Sequence, residues 1–214
     1  EDVAQAIGSD SRIGPKFLKA SLGFGGSCFQ KDILNLVYIC KSLGLNEAAD
    51  YWEQVVIMNN HQRNRFAHQI VKSLHGTVAA KKIGFLGWAF KKDTNDTRES
   101  AAIYIADILI EERAYVQVFD PKVTLLQIRS DLNGLNTRSE TENDKFLVNH
   151  SDPYETLNGT HAIAVITEWD EFKSYDWQKI YERMQKPAFV FDGRNILDQK
   201  KLESIGFIYQ SIGR

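Results

Sequence analysis

The segment Gly23-Phe24-Gly25-Gly26-Ser27-Cys28-Phe29-Gln30-Lys31-Asp32 concentrates the residue types that can do covalent chemistry. Ser27, followed three residues later by Gln30, predicts a capping box with Ser27 as N-cap and Cys28 as the first helical residue. A sulfur there faces backbone N–H groups that lack intrahelical partners, and the positive end of the helix dipole. Both favour thiolate over thiol, Lys31 adds a positive charge, and the thiolate is the nucleophilic form. Asp32 shares a helix face with Cys28 and can orient a water or stabilise charge while a Cys-bound intermediate is hydrolysed. The glycines leave room for a substrate to approach the sulfur closely. Spacing alone fits a second arrangement equally well, in which Cys28 is a small buried hydrophobe and the glycines only make a turn. Cys40 sits within an apolar helix face and reads as core.

Residues 1–76 read as a helical unit. Ile33, Leu34, Leu36, Val37, Ile39, Cys40 and Leu43 are spaced for one buried helix face, ended by Gly44. A second helix is predicted over Asn46–His75 and closed by Gly76. About 30 residues would span roughly 45 Å. Its stripe of Trp52, Val55, Val56, Phe66, Ile70 and Leu74 is longer than a small unit can bury, so a dimer through this helix is expected. His61, His68 and His75 recur every seven residues, roughly 10 Å apart, too far to share one metal. They read as a solvated face, and no metal is expected.

Residues 77–214 change rhythm. Strands are predicted at Lys82–Leu86, Tyr115–Phe119, Phe146–Val148, Ala162–Ile166, Ala188–Phe191 and Phe207–Tyr209. Helices are predicted over Glu99–Arg113, near Thr124–Asp131, around Tyr154–Leu157 and around Trp177–Met184. The alternation predicts an α/β fold, a helical central domain followed by a Rossmann-like, doubly wound parallel sheet. The first strand, a turn, a helix and a second strand ending in Asp120 mimic a dinucleotide-binding unit. The glycine fingerprint is missing, because the turn reads Gly87-Trp88-Ala89-Phe90-Lys91-Lys92-Asp93. This sheet is therefore not expected to hold NAD in the standard way. Lys91 falls at the carboxyl end of the first strand, where such sheets bind ligands. Asp96 and Glu99 suggest a helix cap that places Arg98 in the first turn of the next helix.

Hydrophobic residues make up 43% of the chain and charged residues 25%, at a formal net charge of −2. That balance fits a globular protein and speaks against nucleic-acid binding through bulk charge. No apolar run is long enough to cross a bilayer, and no signal peptide opens the chain. Cys28 and Cys40, twelve residues apart on one helix, would be separated by roughly 18 Å and cannot pair. Two unpaired thiols point to a reducing, cytoplasmic compartment. The Asn-x-Ser/Thr triplets at Asn95, Asn149 and Asn158 read as unmodified. Glu1 opens directly on the pattern Val3, Ala6, Ile7, which reads as the middle of a helix with something upstream.

Together these motifs resemble the UDP-glucose/GDP-mannose dehydrogenase family, whose active-site segment is similar to Gly23–Asp32. Phe17-Leu18-Lys19-Ala20-Ser21, Gly87–Thr94 with Asp96–Ser100, and Phe191-Asp192-Gly193-Arg194 are similar to the animal-type members acting on UDP-glucose, and the likeness runs over nearly the whole chain. The resemblance implies NAD-dependent oxidation of the sugar C6 alcohol, in two steps, to a uronic acid. Cys28 would form a thiohemiacetal and then a thioester, with Asp32 handling protons. Phe17, Lys19, Phe24 and Gly25 would line the substrate loop. Phe90, Lys91 and Arg194 would reach the UDP-sugar, and Arg12 the substrate of a neighbouring subunit. Lys31 and Arg98 would face NAD, whose main site the family places on an N-terminal domain not found in this chain. That absence implies a chain inactive by itself. The family's animal members are hexamers built from dimers. Two other readings stay open: a non-catalytic nucleotide-sugar-binding or dimerisation module, and a relative acting on GDP-mannose or a UDP-N-acetyl sugar.

Overall fold

A computed structural model describes residues 2–213. Glu1 lies outside the described residues; the helix expected around it, α1, covers Asp2–Gly8. The two predicted helices follow as α2, Phe29–Ser42, and α3, Asn46–Ser73. The first half of α3 packs on α2 around Ile33, Val37, Cys40 and Ala49, with Val55 and Val56 partly buried. Its second half turns Phe66, Ala67, Ile70 and Leu74 into a different core, shared with the sheet. The long stripe therefore needs correction. Phe66, Ile70 and Leu74 are buried within the chain, and of the predicted positions only Trp52 is exposed, at 39%. A long helix can bury both ends when each half meets a separate layer.

Six strands form one parallel sheet: β1 (Lys82–Leu86), β2 (Tyr115–Phe119), β3 (Leu147–Asn149), β4 (Ala162–Val165), β5 (Phe189–Asp192) and β6 (Ile208–Ser211). Their order is β3-β2-β1-β4-β5-β6. Phe85 of β1 aligns with Val118 of β2 on one side and with Ala164 of β4 on the other. β4 and β5 are buried along their whole length, as expected for a parallel sheet covered on both faces. One face carries α3 and α4 (Ala101–Glu111); the other carries Trp169, Phe172, Trp177 and Ile180. Between β1 and β4 the chain reverses its direction of travel across the sheet, which opens a crevice at the carboxyl ends of the strands.

The remaining helices are α5 (Leu125–Asn133), α6 (Glu140–Phe146), α7 (Pro153–Thr156), α8 (Trp177–Arg183) and α9 (Gln199–Ile205). The sequence reading missed α6 and α9. Both carry local signals. Ser139 and Glu142 close a reciprocal capping box on α6, and Gly206 at φ +117° ends α9 in the left-handed region.

Candidate active site

The helix bearing the cysteine begins at Phe29, so Cys28 is its N-cap and Ser27 lies outside it. The predicted capping box does not form. Cys28 has helical φ and ψ, −98° and −54°, and no side chain caps the first turn. Its carbonyl accepts the first helical bond, from Asp32 N–H at 2.9 Å. The first-turn amides thus have no side-chain acceptor, and the residue that precedes them carries an exposed sulfur. The thiol is free and exposed, with Ser27 Oγ 3.5 Å from Sγ. Of the two arrangements open from spacing alone, the exposed one is observed.

The loop before the sulfur is fixed from below by α3. Asn59 reads both backbone groups of Phe24: Oδ1 accepts its N–H at 2.8 Å, and Nδ2 donates to its carbonyl at 3.1 Å. A side chain at Gly23, φ +129°, would run into Asn59 Oδ1 at 2.5 Å. Arg63, 1% exposed, donates from Nη2 to Phe24 O and to Glu99 O, each at 2.9 Å. A Cβ on Gly25 would stand 2.7 Å from Glu99 O and 2.8 Å from Phe90 Cβ, and one on Gly26 would meet the Phe90 ring at 3.1 Å. Gly26 N–H donates to Arg98 O at 2.7 Å. Gly25 is therefore required for backbone to lie against backbone, and Gly23 and Gly26 make room for the Asn59 side chain and the Phe90 ring.

The same loop docks on the end of β5. Leu22, 1% exposed, fills the space over Gly193, where a Cβ would lie 2.6 Å from its side chain. Asp192 sets that turn by accepting from the N–H groups of Arg194, Ile196 and Leu197, at 3.0, 2.9 and 2.8 Å. The Arg194 guanidinium contacts Ser21 Oγ and pairs with Glu168. Burial draws it below its ordinary value, against the opposing charges of Glu168 and Asp192.

Asp120, at the end of β2, sits where a dinucleotide-binding sheet would offer a carboxylate to a ribose. Here it is consumed. Oδ2 accepts from Trp88 N–H, Ala89 N–H and the Trp169 indole at 2.7, 3.0 and 3.2 Å; Oδ1 accepts from Lys122 and Val123 N–H. Gly87, φ +99°, lies against Thr167 with no room for a Cβ. This turn closes on its own sheet, so its residues do not fit NAD in the standard way. Trp88 is fully buried and donates to Asp131 at 2.9 Å, which ties the turn to α5.

Asp96 does not cap the following helix. Ser100 does, accepting from Ala102 N–H at 3.3 Å. Asp96 instead folds back on Arg98, taking its backbone N–H at 3.0 Å and its side chain at 2.9 and 2.7 Å. Arg98 therefore precedes α4 and stays exposed. Its guanidinium is held above its ordinary value first by Asp96, and also by the charge of Cys28. Spacing suggested Asp96 as the cap; the ion pair with its near neighbour Arg98 engages that carboxylate instead.

The structure thus brings Cys28, Phe24, Gly25, Phe90, Arg98 and Arg194 around one loop. Lys91 lies 5.3 Å from the Phe90 ring centre, and Asp32 one helical turn beyond Cys28. Lys31 and Arg98 share a cleft of about 630 Å³ with Gln30, Tyr104 and Asp131. Arg12, Phe17 and Lys19 are exposed, and Arg12 pairs with Asp10 at 2.6 Å. The sequence reading missed Asn59 and Arg63. Their signal was register: Asn59, Arg63, Phe66 and Ile70 fall at spacings of four, three and four on one face of α3.

Fold and site define a class, a Rossmann-like ligand-binding sheet joined to a helical unit that presents a cysteine at its edge. Comparison with known proteins narrows that class. The model of the UDP-glucose/GDP-mannose dehydrogenase family UDP binding domain matches residues 84–199, and that of the family's central domain matches residues 1–61. The chain belongs to the UDP-glucose/GDP-mannose dehydrogenase family. It is 54% identical to the UDP-glucose 6-dehydrogenase of Drosophila melanogaster over its full length, which is 45% of that relative. It is 53% identical to that of Mus musculus, covering 44% of it. The chain spans about half the length of the curated relatives it matches. Among solved structures, a UDP-glucose dehydrogenase from Pyrobaculum islandicum aligns with 98% of this chain and 42% of its own, at TM-score 0.76 and 31% identity.

Proposed function

We propose that this chain is the nucleophile-bearing and UDP-binding part of a UDP-glucose 6-dehydrogenase, which oxidises UDP-glucose to UDP-glucuronate through a cysteine thioester. One observation carries the reading: an exposed thiol at the head of α2, whose glycine loop is hydrogen-bonded through Gly26 N–H to Arg98 O at the carboxyl edge of the sheet. Names of relatives at 53–54% identity give the substrate class.

The chemistry divides among residues as follows. Phe90, Lys91 and Arg194, with the loop through Phe17, Lys19, Phe24 and Gly25, hold the UDP-sugar with C6 toward Cys28; cationic side chains suit its two phosphates. Loss of a first hydride and proton turns the C6 alcohol into an aldehyde, to which the Cys28 thiolate adds; with one proton taken up, this gives a thiohemiacetal. Loss of a hydride and a proton leaves a thioester. Asp32 takes a proton from the water that cleaves it, which frees the thiolate and the carboxylate. In balance, two hydrides and their protons leave and one water oxygen enters. NAD, when bound, accepts the hydrides. With the β1 turn closed, Lys31 and Arg98 would fit it, as positive groups on the rim of the cleft.

We further propose the division at residue 76 into a dimerising helical domain and a UDP-binding domain, Arg12 reaching the substrate of a partner subunit, a dimer that assembles into hexamers, and a cytoplasmic location. Two unpaired cysteines, and the lack of any helix long and apolar enough to cross a membrane among the described residues, support the last.

The test is Cys28→Ser in the full-length protein. Release of UDP-glucuronate stops, a loss of at least about a thousandfold on the scale of a covalent nucleophile. Undiminished release overturns the reading. UDP-glucose binding by a full-length wild-type protein that makes no NADH would favour a binding module instead.

A further inference from the structure

We infer that Arg63 is a positioning residue, which locks the cysteine loop to the Arg98 turn so that the Cys28 sulfur is held beside a positive charge. The inference deepens the proposed dehydrogenase reading and rests on it for its kinetic arm only.

Arg63 belongs to α3, far in sequence from both segments it joins. One nitrogen, Nη2, donates to two carbonyls at 2.9 Å: Phe24, in the glycine loop, and Glu99, next to Arg98. Those carbonyls come from chain segments more than seventy residues apart. Nη1 lies 3.6 Å from Glu99 Oε2, an ion-pair distance rather than a hydrogen bond. The guanidinium stacks on the Tyr104 ring at 4.2 Å from its centre. Tyr104 in turn donates to Glu99 Oε2 at 2.8 Å.

Burying a cation this deeply is costly unless it is paired and hydrogen-bonded. An apolar side chain would fill the same space between α3 and α4. Nη2 alone reaches both backbone acceptors; what only a flat guanidinium adds here is a plane that lies on the Tyr104 ring while that nitrogen makes both contacts. Between those acceptors runs the contact that brings the two halves of the site together, Gly26 N–H to Arg98 O. Asn59 grips Phe24 alone. Arg63 is the group that spans the gap, and a lysine in its place keeps the charge and loses the stacked plane that aims Nη2 at both carbonyls.

The experiment reads the sulfur directly. Full-length protein is alkylated at low ionic strength with iodoacetate, an anion, and with iodoacetamide, its neutral analogue. Mass spectrometry follows the Cys28 tryptic peptide, residues 20–31. A positive charge beside the sulfur favours the anion, by at most about threefold for one unit charge several ångströms away in water, and by less here because Asp96 pairs with Arg98. Arg98→Ala removes that preference and calibrates it. Arg63→Lys is expected to lower the iodoacetate-to-iodoacetamide rate ratio by about the same factor. It is also expected to lower kcat about tenfold or more with KM for UDP-glucose changed less than threefold, because misplaced reacting atoms slow chemistry more than binding. Should Arg63→Lys fail to fold, Tyr104→Leu decides; it removes the ring beneath the guanidinium without changing charge and lowers the ratio in the same direction. A lower melting temperature with an unchanged alkylation ratio, in whichever variant folds, makes Arg63 a structural residue and overturns the inference. Alkylation needs neither NAD nor turnover. An active Cys28→Ser enzyme would therefore remove the dehydrogenase reading and leave this result standing or falling separately.

Discussion

Gly25 shows how little slack the site has. Its missing Cβ is what lets the loop lie on the Glu99 carbonyl, which is backbone and cannot rotate away. Gly25→Ala therefore displaces the loop or the Glu99 turn, at a cost of about 1–3 kcal/mol, typical of overpacking. The expected outcome is a melting temperature lower by several degrees together with a loss of turnover in the full-length protein. Thermal unfolding and NADH production measured on one preparation check it; a variant with wild-type values in both refutes the tight packing. At this scale the sequence was legible where chemistry and backbone shape were written in the same few letters. Cys28, its glycines and Asp32 were found together because they are adjacent. Asn59 and Arg63 were not, because a helix read for its apolar stripe hides the polar side chains on the same face. Their use depends on Phe24 and Glu99, which only the folded chain brings to them.

Elements were easier to find than their ends. All six strands sit within two residues of their predicted places, since buried parallel strands are continuous apolar runs. Caps were harder. Ser27 and Asp96 each offered a plausible N-cap, and tertiary contacts chose Cys28 and Ser100 instead. At the amino end of the sheet, His161 joins β1 to the start of β4. Its N–H donates to Lys82 O at 2.8 Å, and its Nδ1 accepts from Lys82 N–H at 3.2 Å. Burial, with Lys81 and Lys82 nearby, lowers the imidazole from its ordinary value. The unfolded chain thus takes up the proton first, so this group contributes stability above a pH of about 6.5 and progressively less below it. His161→Gln keeps an acceptor for Lys82 and removes the titration. The variant is expected to lose less melting temperature than wild type between pH 7.5 and 5.5. Parallel pH profiles for the two proteins would show that His161 does not couple to folding.

For the whole molecule, the unresolved balance lies on the helical unit. The second half of α3 is satisfied by the sheet, yet the outer face of α2 and the first half of α3 keep large apolar side chains in water. Tyr38 is 72% exposed, Leu43 68%, Tyr51 70% and Met58 65%. Tyr51 and Met58 are seven residues apart and lie on one face of α3. Single exposed apolar residues are ordinary, whereas a contiguous set on two adjacent helices marks an interface. The proposed dimer would form through this patch, whereas Phe66, Ile70 and Leu74 of the stripe expected to carry it are buried within the chain. Light scattering of the full-length protein at micromolar concentration is expected to give a dimer or a multiple of one. Tyr51→Glu with Met58→Glu places charges in the middle of the patch and touches neither the sheet nor the cysteine loop. It is expected to shift the protein to smaller species, by at least about tenfold in dissociation constant if each buried charge costs 1–3 kcal/mol. A wild-type monomer, or a double variant that assembles unchanged, would place the contact elsewhere. Because α3 also carries Arg63, the proposed dimer would link assembly to the geometry of the site: one half of the helix would meet the second subunit, while the other holds the loop in front of the sulfur.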